Sequence, residues 1–181
     1  MENKGTFKNT KKNVTDNPQT QSNRGERRQS FSKSQSRDKQ SEFDKKIISI
    51  RRVSKTYSGG KRMRLSVFLV VGDRKGKVGL GLGKGADVVS AEEKAMSHAK
   101  KHMVMIKLKG NTIAHELLYK RGAAKIFMKP AAPGTGVIAS GSLRAVFEAA
   151  GIKDILSKVI GSSNSITNAY AAFEALQNLK D

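Results

Sequence analysis

Four groups of residues have types and spacings that could do chemistry. The run Gly79-Leu80-Gly81-Leu82-Gly83-Lys84-Gly85 invites nucleotide binding. A phosphate-cradling loop would need Gly at 78, which is Val, and Ser or Thr at 85, which is Gly. A dinucleotide fingerprint beginning at Gly79 and Gly81 would need Gly at 84, which is Lys. The strict period of two instead describes a strand with one glycine face, approached closely by another element or by an RNA backbone. His98 and His102 stand at helical spacing for a metal, but a zinc protease would need Glu at 99, which is Ala, and Lys94 and Lys101 repel a dication. They read as surface histidines among cations. His115-Glu116 has no third partner in the sequence. Ser140 lacks the preceding Gly of a nucleophile elbow, because position 138 is Ile. No carboxylate pair suggests acid–base work. The expectation is therefore no catalytic residue, no metal site, no cofactor and no small-molecule substrate.

The chemistry that remains is charge. The 181 residues carry 35 Lys and Arg against 15 Asp and Glu, net +20, with no Cys and no Trp. Zero Cys excludes a disulfide framework, a thiolate metal site and a thiol nucleophile. No apolar stretch approaches the roughly 18 residues of a membrane span, and the N-terminus lacks the apolar region of a secretory signal. Glu2, Asp16, Glu26 and Asp38 argue against an organelle transit peptide. The net charge is +6 over residues 1–40, +11 over 41–110 and +3 over 111–181. So large a charge in the middle third needs an anionic partner.

The elements that must position these cations are legible in outline. Residues 1–42 are polar and basic, too poor in apolar side chains to bury a core, and are expected to be a disordered extension. They serve equally as a phosphate-condensing arm or a solubilising tail. Residues 45–53 read as a strand, 54–61 as a polar loop with a Gly pair, and 62–71 as a strand with Met63, Leu65, Val67, Leu69 and Val71 on one face. A turn at 72–76 leads to a strand at 77–83, with Val78, Leu80 and Leu82 inward. A helix follows over 87–104, capped by Asp87 or Ser90, with Val88, Ala95, Met96, Ala99 and Met103 as its stripe. This helix covers one face of the sheet. Residues 112–120 and 124–129 hold two short strands. A helix over 142–150 stops at Gly151. Residues 152–160 fit strand or helix, strand being favoured, and 165–179 form a helix capped from Ser162-Ser163-Asn164.

On this frame the cations cluster at strand ends. Arg51 and Arg52 precede the first loop, Lys55 and Lys61 lie in it, and Arg62 and Arg64 leave it. Arg74 and Lys75 occupy the next turn, with Lys77 and Lys84 nearby. Only Tyr57 is placed for base stacking, so the pattern favours shape recognition of folded RNA through phosphates. A free RNA-chaperone module shares this physics. A nucleotide-dependent enzyme built on the Gly run is the reading from another class.

The stretch 51–85, RRVSKTYSGGKRMRLSVFLVVGDRKGKVGLGLGKG, resembles the signature of bacterial small-subunit ribosomal protein five. FMKPAAPGTGVIASGSLRAVFEAAGIKDIL (127–156) and IGSSNSITNAYAAFEAL (160–176) resemble the second domain of that family, and the likeness covers residues 43–179. The resemblance implies an α+β protein. A β-β-β-α domain similar to double-stranded-RNA-binding domains would span 43–110, and a C-terminal β-α-β-α domain 111–181. It implies a structural constituent of the small ribosomal subunit, in the cytoplasm, with no membrane association. Its partners would be small-subunit ribosomal RNA, ribosomal proteins four and eight, and mRNA where it enters. Roles in subunit assembly and decoding accuracy would follow. The expected RNA-binding residues are Arg51, Arg52, Ser54, Lys55, Thr56, Gly59, Gly60, Lys61, Arg62, Arg64, Arg74, Lys75, Lys77 and Lys84. Arg121, Lys125 and Lys129 are the expected contacts to protein four, and the C-terminal domain would face protein eight. Changes in the segment matching 54–60 confer spectinomycin resistance in the family. Leu65, Ser140, Ser165 and Tyr170 depart from its usual residues, and no RNA contact is carried over to Tyr170.

Overall fold

The unbroken apolar run Val67 to Val71 has a plain cause in the structure: its strand is covered on both faces. The computed structural model describes residues 43–179. The expectations for residues 1–42 lie outside them. The first half runs β1 (Asp44–Tyr57), β2 (Gly60–Gly72), β3 (Lys77–Gly85), α1 (Val88–Lys101) and β4 (Val104–Met105). These strands form an antiparallel sheet in the order β1-β2-β3-β4. The second half runs β5 (Leu117–Arg121), β6 (Ala124–Pro130), β7 (Val137–Ile138), α2 (Gly141–Ala150), β8 (Ile155–Val159) and α3 (Ser165–Gln177). Its sheet has the order β5-β6-β8-β7, with only β7 and β8 parallel.

Two cores share strand β2. Val67, Leu69 and Val71 pack with Ala91, Ala95 and Ala99 of α1. Phe68 and Val70 point the other way, into a larger core with Val78 and Leu80 of β3, Ile126 and Met128 of β6, and Leu143, Val146 and Phe147 of α2. The expectation that the first sheet has one covered face is therefore corrected. A strand buried on both sides loses its alternation and becomes a continuous apolar run. The assignment of faces on β3 is corrected too. Its inward residues Val78 and Leu80 belong to the larger core, whereas its glycines form the seat of α1, and Leu82 is partly exposed.

That seat is built backbone against backbone. A Cβ at Gly79 would lie 2.4 Å from the Ala99 carbonyl oxygen, one at Gly81 2.0 Å from that of Ala95, and one at Gly83 2.1 Å from that of Ala91. The period-two glycines of the strand meet the period-four alanines of the helix. The helix presents Ala91, missed in the sequence-based stripe, as well as Ala95 and Ala99. Asp87 occupies the N-cap position without a side-chain bond, and the Ser90 hydroxyl donates to the Asp87 carbonyl instead.

The two halves join through a second set of close approaches. The turn after β2 is held by the Asp73 carboxylate, which accepts from the Lys75 and Lys77 amides at 2.7 and 2.9 Å. The turn then docks on the end of α2, where the Arg74 and Gly76 amides donate to the Ala149 and Ala150 carbonyls. Gly72 and Gly151 make this approach possible, since a Cβ on either would sit 2.1 Å from a carbonyl oxygen across the junction. Gly151 also ends α2 in the left-handed conformation at φ 88, as its sequence position implied. Ion pairs brace the same region: Lys45 with Glu92 of α1, Lys46 with Glu148 of α2 and Arg74 with Asp44.

In the second half, Asp154 is 5% exposed, and its carboxylate accepts from the Gly134 and Gly136 amides at 3.0 and 2.9 Å. One buried acid thus fixes the Pro–Gly loop between β6 and β7. Asn164 caps α3 by accepting from the Ile166 amide. Residues 155–159 are a strand.

A polar strut crosses between the halves. Arg121 of β5 donates to Glu174 at 2.7 Å and lies over the Tyr170 ring at 4.8 Å, and Tyr170 meets Phe68 of β2 at 5.4 Å between centroids. Burial raises the Tyr170 phenol above its ordinary 10.0, and the Arg121 guanidinium partly opposes the rise.

Gly81→Ala should destabilise the protein by about 3 kcal/mol in urea unfolding, because only backbone faces the new methyl. Gly59→Ala, with nothing within 4 Å, should stay within about 0.5 kcal/mol of wild type. The strut carries a pH dependence. A raised phenol pKa contributes stability that is complete below pH 10.0 and is lost as pH rises through the folded-state value. Tyr170→Phe should therefore show a smaller loss of stability than wild type on going above about pH 10, followed by denaturant midpoints.

Candidate nucleic-acid interface

The expected polar loop over 54–61 does not exist as a loop. Residues 54–57 continue β1 and 60–63 open β2, paired from Ser54↔Met63 to Tyr57↔Gly60, leaving Ser58-Gly59 as the whole turn. Gly60 has φ 138, which suits a Gly at this tight reversal. The last β2 residue with a partner on β3 is Leu65, opposite Gly85. Beyond it the hairpin stands as a two-stranded ribbon, and residues 54–64 are all exposed. The sequence signal for a loop was polarity, yet Lys, Arg, Ser and Thr on both faces also describe a strand pair with no core on either side.

Strand register sorts the expected RNA-binding residues by face. Arg51, Val53, Lys55 and Tyr57 lie opposite Ser66, Arg64, Arg62 and Gly60, and Lys84 of β3 pairs with Ser66. These positions share the face turned away from α1, the same face as Phe68 and Val70. There they line a shallow depression of about 310 Å³ bounded by Val53, Lys55, Tyr57, Arg62, Arg64 and Lys84. Lys55 sits 5.2 Å from the centre of the Tyr57 ring. At the base, the Arg51 guanidinium donates to Asn164 Oδ1 and Ser165 Oγ at the start of α3, at 3.3 and 3.4 Å. Among the described residues, no carboxylate lies within ion-pair distance of Arg51, Lys55, Arg62, Arg64 or Lys84. Arg52, Ser54, Thr56 and Lys61 fall on the opposite face, with Met63 and Leu65.

The remaining expected contacts lie elsewhere. Arg74, Lys75 and Lys77 sit at the far end of β2 from the ribbon, about 40 Å away for 13 residues at about 3.3 Å each. Their turn is not a free loop but is bonded to α2, and Arg74 is paired with Asp44. One loop-borne clamp joining both groups is thus not what the fold builds. Lys75 and Lys77 remain exposed at that end.

Arg121 is partnered inside the chain by Glu174 and Tyr170. Lys125 and Lys129 project from the other face of β6, where register places Lys120 opposite Lys125, Phe127 opposite Lys158 and Lys129 opposite Leu156. That outer face also carries exposed Leu118 and Ile138. Two like charges directly opposed on a sheet are unfavourable without a counter-charge. Lys120 and Lys158 were missed by sequence reasoning. The signal for them was the alternation of β6 and its partners, which was read for the core only.

The glycine run holds no phosphate site, because α1 fills the space in front of it. His98 and His102 stack at 4.4 Å on the surface of α1, with His102 Nδ1 2.9 Å from the His98 carbonyl oxygen. Among the described residues no group of three or more His, Asp or Glu could hold a metal ion. No helix there is long and apolar enough to cross a membrane.

The ribosomal protein S5 N-terminal domain matches residues 43–107, and the ribosomal protein S5 C-terminal domain matches residues 119–181. A small ribosomal subunit protein uS5 from a Picosynechococcus strain is 48% identical over 148 residues, covering 81% of this chain and 86% of its own length. The protein of the same name from Thermus thermophilus is 49% identical over 141 residues, covering 78% and 87%. That from Thermotoga maritima is 49% identical over 140 residues, covering 77% and 79%. Two domains matched in order and near-half identity over most of both chains leave one conclusion: this chain belongs to the ribosomal protein S5 family.

Proposed function

We propose that the protein is a structural constituent of the small ribosomal subunit, in the cytoplasm, and that it binds subunit RNA through the face of β1–β3 turned away from α1. The observation that carries this reading is the row Arg51, Lys55, Arg62, Arg64 and Lys84, five cations on one sheet face without a carboxylate beside them among the described residues. A rigid polyanion neutralises such a row all at once, and the released counterions supply the affinity. Relatives named small ribosomal subunit protein uS5 support the identity of that polyanion.

Within this reading, residues 43–110 are the RNA-binding domain, similar to double-stranded-RNA-binding domains, and residues 111–181 are a domain that docks neighbouring proteins; its elements run β-β-β-α-β-α rather than the expected β-α-β-α, because the hairpin β5–β6 and the short β7 all precede α2. The outer face of the second sheet, with Lys125 and Lys129 beside Phe127 and Leu156, is the contact for ribosomal protein four. Arg121 acts behind it, as part of the strut that holds β5 against α3. Ribosomal protein eight meets the same domain. The ribbon tip lies near the path by which mRNA enters, which connects the chain with assembly and decoding accuracy.

Sedimentation of native lysate tests the assignment: the protein should travel with the small subunit in stoichiometric amount, and a free pool would favour an RNA chaperone. The triple variant Arg62→Ala, Arg64→Ala, Lys84→Ala should weaken binding to subunit RNA and reduce the slope of log K against log salt by about two to three. An unchanged slope would remove these residues from the interface. Substitutions over 54–60, measured as growth in spectinomycin, should change drug sensitivity; wild-type sensitivity at every position would separate this ribbon from that of the family.

A further inference from the structure

We propose that Asn164 and Ser165, at the start of α3, position Arg51 for phosphate, so that the second half of the chain contributes to the RNA affinity of the first without touching the RNA. The inference rests on the RNA-binding reading above and adds two positioning residues to it.

Arg51 differs from Lys55, Arg62, Arg64 and Lys84. Among the described residues it is the one cation of the row whose side chain is held by hydrogen bonds, and both reach across to the other half. Its Nη2 donates to Asn164 Oδ1 at 3.3 Å and to Ser165 Oγ at 3.4 Å. The two acceptors are fixed from behind. Asn164 Oδ1 also accepts from the Ile166 amide at 3.3 Å, and Asn164 Nδ2 donates to Thr167 Oγ1 at 3.0 Å. One turn on, Asn168 is 4% exposed and donates to the Ser162 carbonyl at 2.8 Å. Ala169 and Ala172 are fully buried, and Tyr170 packs on Phe68 of β2. The acceptor pair therefore belongs to the end of a seated helix.

The chemistry of the pair separates positioning from neutralisation. Lys45, Lys46, Arg74 and Arg121, which brace the fold, are each met by a carboxylate. Arg51 is met by an amide oxygen and a hydroxyl oxygen, which orient a guanidinium and leave its charge whole. A carboxylate at either position would cancel the charge that a phosphate needs. Both bonds use Nη2, so the N–H donors of Nη1 and Nε stay open to a second acceptor. Bonds of this length on an exposed side chain add little to the stability of the fold. Their effect is to remove rotamer freedom from a long side chain before an anion arrives. Freedom lost beforehand is not lost again on binding.

The experiment measures binding of the full chain to small-subunit RNA over a range of salt, as a double-mutant cycle. Asn164→Gly with Ser165→Ala removes both acceptors and keeps a residue that the cap position tolerates. This variant should bind about fivefold more weakly than wild type, because Arg51 must now be ordered by the RNA. Its slope of log K against log salt should be unchanged, because Arg51 still neutralises its phosphate. Arg51→Ala should lower the slope by about one, and adding the α3 changes to it should cost nothing further. Ser165→Thr, which keeps the hydroxyl, should bind as wild type does. Should the double variant fail to fold by circular dichroism, Ser165→Ala alone leaves the cap intact and repeats the cycle, with an expected loss of about twofold. Wild-type affinity in the α3 variant would overturn the inference. So would an equal loss with and without Arg51, which is the result of a merely structural role. A wild-type slope in both Arg51→Ala and the Arg62, Arg64, Lys84 triple variant would instead overturn the RNA reading itself.

Discussion

Everything in this fold depends on backbones touching where side chains would normally keep them apart. Gly79, Gly81 and Gly83 let α1 rest its carbonyls on β3, and Gly72 and Gly151 let the β2–β3 turn rest on α2. A strand that meets a helix through glycine and alanine gives up apolar area on that side. It recovers cohesion through dispersion over a close-fitting surface and through the apolar side chains of the neighbouring strand. The result is that β2 can be buried twice. A chain whose halves have only about 70 residues each would struggle to stabilise two separate cores. Sharing Phe68, Val70, Val78 and Leu80 with the second half removes that difficulty.

The same economy explains where charge is allowed. Lys45, Lys46 and Arg74, close to the cores, are each answered by an acid. Past Leu65, no described residue packs on the ribbon, and its cations have no carboxylate within ion-pair distance among the described residues. The chain therefore separates two jobs along single strands. The inner half of β1 and β2 is held by packing and local ion pairs, and the outer half is an exposed basic ribbon. Membership of the ribosomal protein S5 family agrees with the proposal that this ribbon faces RNA.

How far the sequence could be read depended on whether neighbours in space were also neighbours in the chain. Gly151 as a helix stop, Asn164 as a cap and the strand nature of 155–159 are local, and they were legible. The glycine run was legible as a strand face needing a close neighbour, but whether that neighbour was a helix or RNA depended on tertiary packing. Residues 54–61 were misread because polarity was taken for irregularity. A ribbon with no core on either face shows no hydrophobic period, so periodicity is silent there. The second burial of β2 was invisible for the opposite reason, since a run of five apolar residues fits either one face or two. Short β4 and β7, two residues each, have no signal of their own and exist because a longer neighbour offers an edge. The internal engagement of Arg121 could not be foreseen without knowing that α3 crosses β5.

Strand β2 runs without interruption from Gly60, at the exposed tip, to Gly72, seated on Ala149. A single covalent and hydrogen-bonded strand thus joins the exposed tip of the ribbon to the junction between the halves. The strand that reaches into the exposed ribbon is also the most firmly rooted one: its middle, Val67 to Val71, is covered on both faces, and its end rests on the last turn of α2.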